Sequence, residues 1–227
     1  FKAQGAVADQ EKISQVQAQI QAIKEEWLEQ WKPLLTSEET PLNYYRVIHE
    51  IDQTLDWENS IITHDAGAPR DCIMPFYTAT TANSYVGWGK TTHLGFGIPL
   101  MIGAKQAHPD KFCLNLMGDG AFGMSGLDLE TAVRAKLPIT TVLLNNGAMA
   151  TYAGMKGMET AQERYGVTYM QGDYAKIAEG MGAVGIRVAQ PAEMAPALNE
   201  AQRLNKEGQT ILIDVKANVE GRRSILS

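Results

Sequence analysis

Apolar positions along the chain fall into two regimes. Over the first forty residues Ile13, Val16, Ile20, Ile23 and Trp27 recur at steps of three and four, with Gln, Glu and Lys between them. That is a single apolar stripe on a helix. Two heptads are too few to specify a coiled coil, so the spacing predicts a helix packed on a neighbouring domain. The segment LTSEETP ends it. Thr40 followed by Pro41 predicts an N-cap with proline at the first helical position. A second helix follows, with Leu42, Tyr45, Ile48, Ile51 and Leu55 on its buried side.

From Ser60 the period changes. Short apolar runs at Ser60–Thr63, Phe112–Met117, Ile139–Leu144, Ala183–Val188 and Gln209–Lys216 read as strands. Between them, Thr92–Ala107, Leu127–Ala135, Asp173–Met181 and Pro191–Asn205 read as helices. The stretches DAGAPRD, GDGAFG and NNGAMATYAGMKGME read as loops. ITTVLL is almost continuously apolar, as expected of a parallel strand covered on both faces. Alternation of strand and helix predicts an α/β fold: a doubly wound, mainly parallel sheet flanked by helices, with an N-terminal helical extension. The expected division is a helical linker over 1–40 and one domain over 41–227. No internal repeat or low-complexity segment interrupts it.

Composition narrows the function. The chain has 227 residues, 44% hydrophobic and 20% charged, with a formal net charge of −6. That balance argues against a nucleic-acid partner, and no apolar run approaches the roughly 20 residues of a membrane span. The first residues lack the apolar core of a secretory signal. With only Cys72 and Cys113, both expected as buried small hydrophobes, the usage fits a reducing cytoplasm. A start at Phe1 fits a processed chain, a subunit or an excised piece alike.

The candidate chemistry lies in two of the loops. Gly118-Asp119-Gly120-Ala121-Phe122-Gly123 has the G-x-G-x-x-G spacing of a dinucleotide loop. A dinucleotide site also needs an acid at the end of the following strand to hold the ribose; here that strand ends in Asn145-Asn146. Asp119 would meanwhile repel a bare phosphate. Both features make sense if a divalent cation lies between carboxylate and diphosphate, when both become its ligands. Mg²⁺ takes oxygen donors, commonly one or two protein groups with phosphate oxygens and water. Asn146 offers an amide oxygen, and the Ala148 carbonyl offers a third. The glycines allow close backbone approach to the diphosphate, and the start of the Leu127 helix would complement its charge. A GDG turn or an Asn-Asn-Gly turn alone is commonplace. The pair, on successive strand ends one crossover apart, is far more specific.

Gly118-Asp119-Gly120 followed by Asn145-Asn146, with Asp119 and Asn146 27 positions apart, resembles the signature of thiamine-diphosphate enzymes of the pyruvate decarboxylase and acetolactate synthase group. His93-Leu94-Gly95-Phe96-Gly97-Ile98-Pro99, then Ile102-Gly103-Ala104, is similar to the segment that precedes GDG in acetolactate synthase-like proteins. The resemblance runs from about Thr40 to the C-terminus, and the N-terminal helix resembles the tail of their middle domain. It implies that the chain is the pyrophosphate-binding domain of such an enzyme.

Residue by residue, the resemblance places Asp119, the Asn146 side chain and the Ala148 carbonyl on Mg²⁺. Gly118, Gly120 and Ala121 face the diphosphate, where many relatives have Ser in place of Ala121. Ala66, Gly67 and Ala68 fall where relatives carry a Gly-Gln-His type loop; Ala68 and Pro69 lack those polar groups, so contact there is through backbone. Leu94 takes the place of the bulky residue that wedges beneath the cofactor and bends it. Thr92, which replaces a glycine common in acetolactate synthases, and His93 lie near it, and Met149 sits beside Ala148. Met149, Met155 and Met158 with Tyr152 are candidates for a substrate pocket, or ordinary gap filler.

The resemblance implies thiamine diphosphate and Mg²⁺ as cofactors, with FAD only through a domain absent here. It also implies an activating glutamate beside the aminopyrimidine ring, supplied by a pyrimidine-binding domain of the same or a partner subunit. Glu130, Glu159 and Glu163 fall in no such motif, and Glu159 and Glu163, four apart, suit one solvated helix face. A homo-oligomer acting on a 2-oxo acid by decarboxylation and carboligation is the expectation. Two alternatives stay open. One is an acyl-CoA enzyme of 2-hydroxyacyl-CoA lyase or oxalyl-CoA decarboxylase type, with Arg222-Arg223 meeting CoA phosphates rather than forming a solvated tail. The other is a cofactor-binding or regulatory subunit that never turns over.

Overall fold

The computed structural model describes residues 9–87, 93–149, 156–166, 170, 172–222 and 224. Five parallel strands form one sheet: β1 (Ser60–His64), β2 (Phe112–Gly118), β3 (Thr140–Asn145), β4 (Val184–Val188) and β5 (Ile211–Lys216), in spatial order β1-β2-β3-β5-β4. Alternate residues of each strand feed two separate cores. Leu114, Leu116, Val142, Leu144, Ile213 and Val215 point to one face, and Cys113, Met117, Leu143 and Leu212 to the other. A parallel sheet needs helices on both faces, and it has them. α2 (Tyr44–Thr54), α3 (Ala68–Ile73) and α9 (Met194–Lys206) cover the first; α4 (Gly97–Ala107), α6 (Asp128–Arg134) and α8 (Tyr174–Gly180) cover the second. Short α5 (Asp119–Ser125) follows β2, and α7 (Lys156–Tyr165) lies between β3 and α8. No helix among the described residues is long and apolar enough to cross a membrane.

The extension is α1 (Gln10–Leu35), capped by Asp9, whose side chain accepts from Lys12 N. Its C-terminal end is anchored through aromatic rings. Trp31 lies 4.9 Å from Tyr45 and 5.6 Å from Phe76, and Trp27 stacks on Phe76 at 4.9 Å. Such pairs contribute about 0.5–1.5 kcal/mol each beyond area burial. Toward its N-terminus the apolar stripe is uncovered, Ile20 being 60% and Ile23 68% exposed.

Several local expectations are corrected. The second helix is capped by Asn43, whose Oδ1 accepts from Tyr45 N at 3.0 Å, not by Thr40; the Thr40–Pro41 peptide is cis. Leu42 explains the shift, because it is pinned in extended form between Lys216 and Asn218 by two 2.9 Å backbone bonds. DAGAPRD is partly helical: Gly67, at φ 80°, turns the chain into α3 with Pro69 in its first turn. GDGAFG is also helical, with extended Gly118 as N-cap and Asp119 at the start of α5. The helix expected from Leu127 begins at Asp128 and is a separate element. The described part of the expected Thr92–Ala107 helix starts only at Gly97.

Nor is the C-terminal tail a solvated arm through Ser224. Tyr45 Oη donates to Arg222 O (3.0 Å) and accepts from Ser224 N (3.2 Å), while Ser224 Oγ donates to Asp71 O (3.3 Å). Burial pushes the Tyr45 hydroxyl far above its ordinary pKa, so it acts as a neutral donor and acceptor. Tyr45→Phe is expected to cost about 1–2 kcal/mol in urea unfolding and to open the tail to protease after Arg222; an unchanged midpoint and cleavage rate would refute that latch.

Candidate functional site

Because every strand runs the same way, the chain leaves β1, β2 and β3 at one edge of the sheet, where crevices form in such folds. There the loop after β1, the start of α5 and the turn after β3 enclose a cavity of about 180 Å³. Ala66, Gly67 and Ala68 line it from the first, Gly118, Asp119, Gly120 and Ala121 from the second, Asn146, Ala148 and Met149 from the third, with Leu94 from the turn before α4. Residues singled out along 84 positions of sequence thus share one small space. His93 does not line it and is exposed. Thr92, Tyr152, Met155 and the side chain of Met158 lie outside the described residues.

The wall is built from short side chains and backbone. Gly120 is pressed by Met149, whose Cγ would lie 3.0 Å from an added Cβ. The first amides of α5 have no intrahelical acceptor, so the helix start that borders the cavity is that of α5, not the Leu127 helix. One charge stands out. Asp119 is 1% exposed, and its carboxyl oxygens accept from Gly120 N (2.8 Å) and Gly147 N (2.6 Å). Burial raises its pKa above the ordinary carboxylate range, against the opposing pull of the Gly147, Gly120 and Asn146 amides. Asn146 is oriented from both ends, Nδ2 donating to Tyr44 Oη and Oδ1 accepting from Ala148 N at 2.9 Å.

This donor set fits a hard cation. A carboxylate accepts about four hydrogen bonds and an amide oxygen two, so lone pairs remain on Asp119 and on Asn146 Oδ1 after these backbone amides are served. All are oxygens, as Mg²⁺ requires. Among the described residues no group of three or more His, Cys, Asp or Glu is placed to hold a metal, so phosphate oxygens and water would have to complete any shell here. A cation between Asp119 and an anion would oppose that effect of burial by favouring the charged carboxylate.

Four contributors were not read from sequence. Tyr44 lines the cavity and fixes Asn146; a lone Tyr on a helix face carries no signal of that role. Arg70 and Asp71 line it too, Arg70 Nε and Nη2 both donating to Asp71 Oδ1 (2.8 and 2.7 Å). Asp65, 0% exposed, accepts from Ala66, Gly95 and Gly97 amides. Elsewhere the tempting acids are spent or remote: Glu130 pairs with Arg134 at 3.1 Å, and Glu159 and Glu163 are exposed on α7. Arg222 grips Glu220 with two nitrogens (2.8 and 2.7 Å), while Arg223 lies outside the described residues. Cys72 and Cys113 are both free and buried, and burial pushes Cys113 up to about 11.

Residues 65–215 match the family model of the thiamine pyrophosphate enzyme C-terminal TPP-binding domain. YdaP of Bacillus subtilis, whose name assigns it thiamine pyrophosphate, is 32% identical over 79% of this chain and 30% of its own length. The acetolactate synthase isozyme 3 large subunit of Escherichia coli is 28% identical over 69% of this chain and 28% of its own. In three dimensions the chain is similar to the thiamine diphosphate-dependent 4-hydroxybenzoylformate decarboxylase of Rhodococcus jostii, with a TM-score of 0.67 and 24% identity over 78% of this chain and 33% of that one. The chain therefore spans about a third of the length of these relatives.

Packing beneath the site is testable. A Cβ on Gly97, at the start of α4, would fall well inside contact distance of the Asn115 amide in β2. Gly97→Ala is expected to cost about 1–3 kcal/mol, and Gly97→Ala with Asn115→Ala to recover part of it in a double-mutant cycle of denaturant midpoints. Strict additivity would show that the two residues do not meet.

Proposed function

The chain belongs to the thiamine pyrophosphate enzymes, residues 65–215 being their C-terminal TPP-binding domain, and we propose that it holds the diphosphate and divalent cation of a 2-oxo acid decarboxylase or carboligase of acetolactate synthase type. The observation that carries this is the buried Asp119 carboxylate beside the oriented Asn146 amide, in one cavity with Gly118 and Gly120. When bound, thiamine diphosphate supplies a carbon nucleophile and an electron sink for C–C bond cleavage.

Asp119, Asn146 Oδ1 and the Ala148 carbonyl would hold Mg²⁺, and the Ala121 amide would donate to a diphosphate oxygen, while Gly120, whose own amide serves Asp119 at 2.8 Å, leaves room for its close approach. Ala66, Gly67 and Ala68 offer only backbone, which is why their side chains are absent or small. Tyr44 and the Ala148 amide keep the Asn146 oxygen aimed at the cation. Leu94 would support the cofactor in its bent form, Met149 packs against Gly120, and Thr92 and His93, which precede Leu94 in sequence, are further candidates for contact with the cofactor. The activating glutamate comes from a pyrimidine-binding domain of the same or a partner subunit, so the working unit is a homo-oligomer of the cytoplasm and this chain alone is catalytically incomplete. FAD would enter only through another domain. Arg222, committed to Glu220, gives the acyl-CoA alternative no support.

Calorimetry with thiamine diphosphate, with and without Mg²⁺, tests the assignment. Asp119→Ala is expected to weaken Mg²⁺-dependent binding at least about a hundredfold, with the far-ultraviolet dichroism unchanged. Equal metal dependence in the variant would remove Asp119 from the cation. Decarboxylation of 2-oxo acids by this 227-residue chain alone would overturn the claim that its active site is shared.

A further inference from the structure

Asp65 is the most completely enclosed acid near the cavity, and no role in cofactor binding has yet been given to it. Its own amide donates to Leu116 O (2.7 Å), which fixes it to β2 just beyond the end of β1. Its Oδ1 accepts from Ala66 N (2.8 Å) and Gly95 N (2.9 Å), and its Oδ2 from Gly97 N (2.9 Å). One side chain therefore ties two segments 30 positions apart, the loop that starts at Ala66 and the turn that presents Leu94. That turn has little freedom left. Gly95 has φ 92°, and a Cβ there would lie 3.0 Å from Ser125 at the end of α5, so the turn is gripped between Asp65 and the helix that begins at Asp119.

Resting on the reading of Leu94 as the residue beneath the cofactor, we propose that Asp65 is a positioning residue: its two carboxyl oxygens hold the Gly95 and Gly97 amides and so set where the Leu94 side chain meets the bound thiamine diphosphate. The contribution is geometric. Asp65 reaches the cofactor only through the turn, whereas Asp119 reaches it through the cation, and the two acids are separable by choice of ligand.

Asp65→Asn keeps the shape but offers a single acceptor oxygen. With that oxygen serving Ala66 and Gly95, the amide nitrogen faces the Gly97 donor and releases one tether of the turn. In the intact protein, thiamine diphosphate with Mg²⁺ is expected to bind this variant roughly tenfold more weakly, while inorganic pyrophosphate with Mg²⁺, which lacks the rings that Leu94 would support, is expected to bind within about twofold of the unsubstituted protein. Leu94→Ala is expected to show the same split, and the double variant to lose about tenfold in all, because both changes remove one contact. Losses that multiply to about a hundredfold, or equal losses for both ligands, would make Asp65 an ordinary structural acid and overturn the proposal. If Leu94→Ala alone leaves thiamine diphosphate affinity unchanged, the reading of Leu94 fails and takes the proposal with it. Hydrogen exchange on the unsubstituted protein without cofactor supplies a test that needs no variant: the Gly95 and Gly97 amides are expected to exchange at least about a hundredfold more slowly than open-chain amides, and exchange at the open-chain rate would equally overturn the clamp.

Discussion

A carboxylate removed from water needs donors, and three buried aspartates on or just after strands of this sheet show how the fold supplies them. Asp65 follows β1, Asp119 follows β2, and Asp214 lies in β5. Backbone amides serve all three. Asp214 accepts from Tyr174 N and Ala175 N at 3.0 and 3.3 Å and from Asn145 Nδ2 at 2.9 Å, which holds α8 and the end of β3 together. Asp65 does the same for the turns on the other side. These two are walled in by the groups they fix. Asp119 is also buried but, unlike Asp65 and Asp214, it lines the cavity, a space another ion can enter. Transferring an ion from water still costs several kcal/mol after relaxation, and the divalent cation of the proposed function would supply the missing counter-charge at that point. The rest of the site follows from keeping that one acid dry, oriented and reachable.

Small residues are how the fold meets that demand. Gly67, Gly118 and Gly120, with Ala66, Ala68, Ala121 and Ala148, leave room where three chain reversals converge. Recognition therefore falls to the main chain, which cannot rotate away. The space they enclose, about 180 Å³, is smaller than the roughly 300–1,000 Å³ of ordinary small-molecule pockets. It suits the anionic end of a cofactor whose remaining surface is covered from elsewhere, in keeping with a chain about a third as long as its relatives.

Periodicity made the sheet legible. Phe112–Met117 and Ile139–Leu144 sit within one residue of β2 and β3, because a strand buried on both faces has few other readings. That Asp119 and Asn146 would share one cavity was legible for a different reason: an acid inside a glycine loop and an amide at the next strand end are chemically odd apart and sensible together. What escaped is tertiary in origin. GDGAFG reads as a loop by composition, yet burial of Ala121 and Phe122 makes it a helix. Thr40-Pro41 has the residues of a helix start, but Leu42 is claimed by β5 and the tail. Asp65 looked like part of a polar turn. Its importance depends on two glycine amides 30 and 32 positions away, a relation that no local window contains. Tyr44 and Arg70 were invisible for the same reason.

Helix α2 links these two levels. Tyr44 and Tyr45 are adjacent in sequence, and both are buried. Tyr44 reaches forward to the Asn146 amide in the cavity, whereas Tyr45 reaches back to Arg222 and Ser224, and Ser224 in turn meets Asp71, which lines the same cavity. Trp31 of α1 packs against Tyr45 with its ring tilted at 54°. The extension, the tail and the Asn146 amide therefore converge on two consecutive tyrosines. A helix as short as α2 would be marginal in water by itself, so its position is set by those contacts, and the aim of the Asn146 oxygen inherits their rigidity. The residues before Tyr44 and after Lys216 touch the site only at second hand, yet they belong to the same mechanical unit as the acid at its centre.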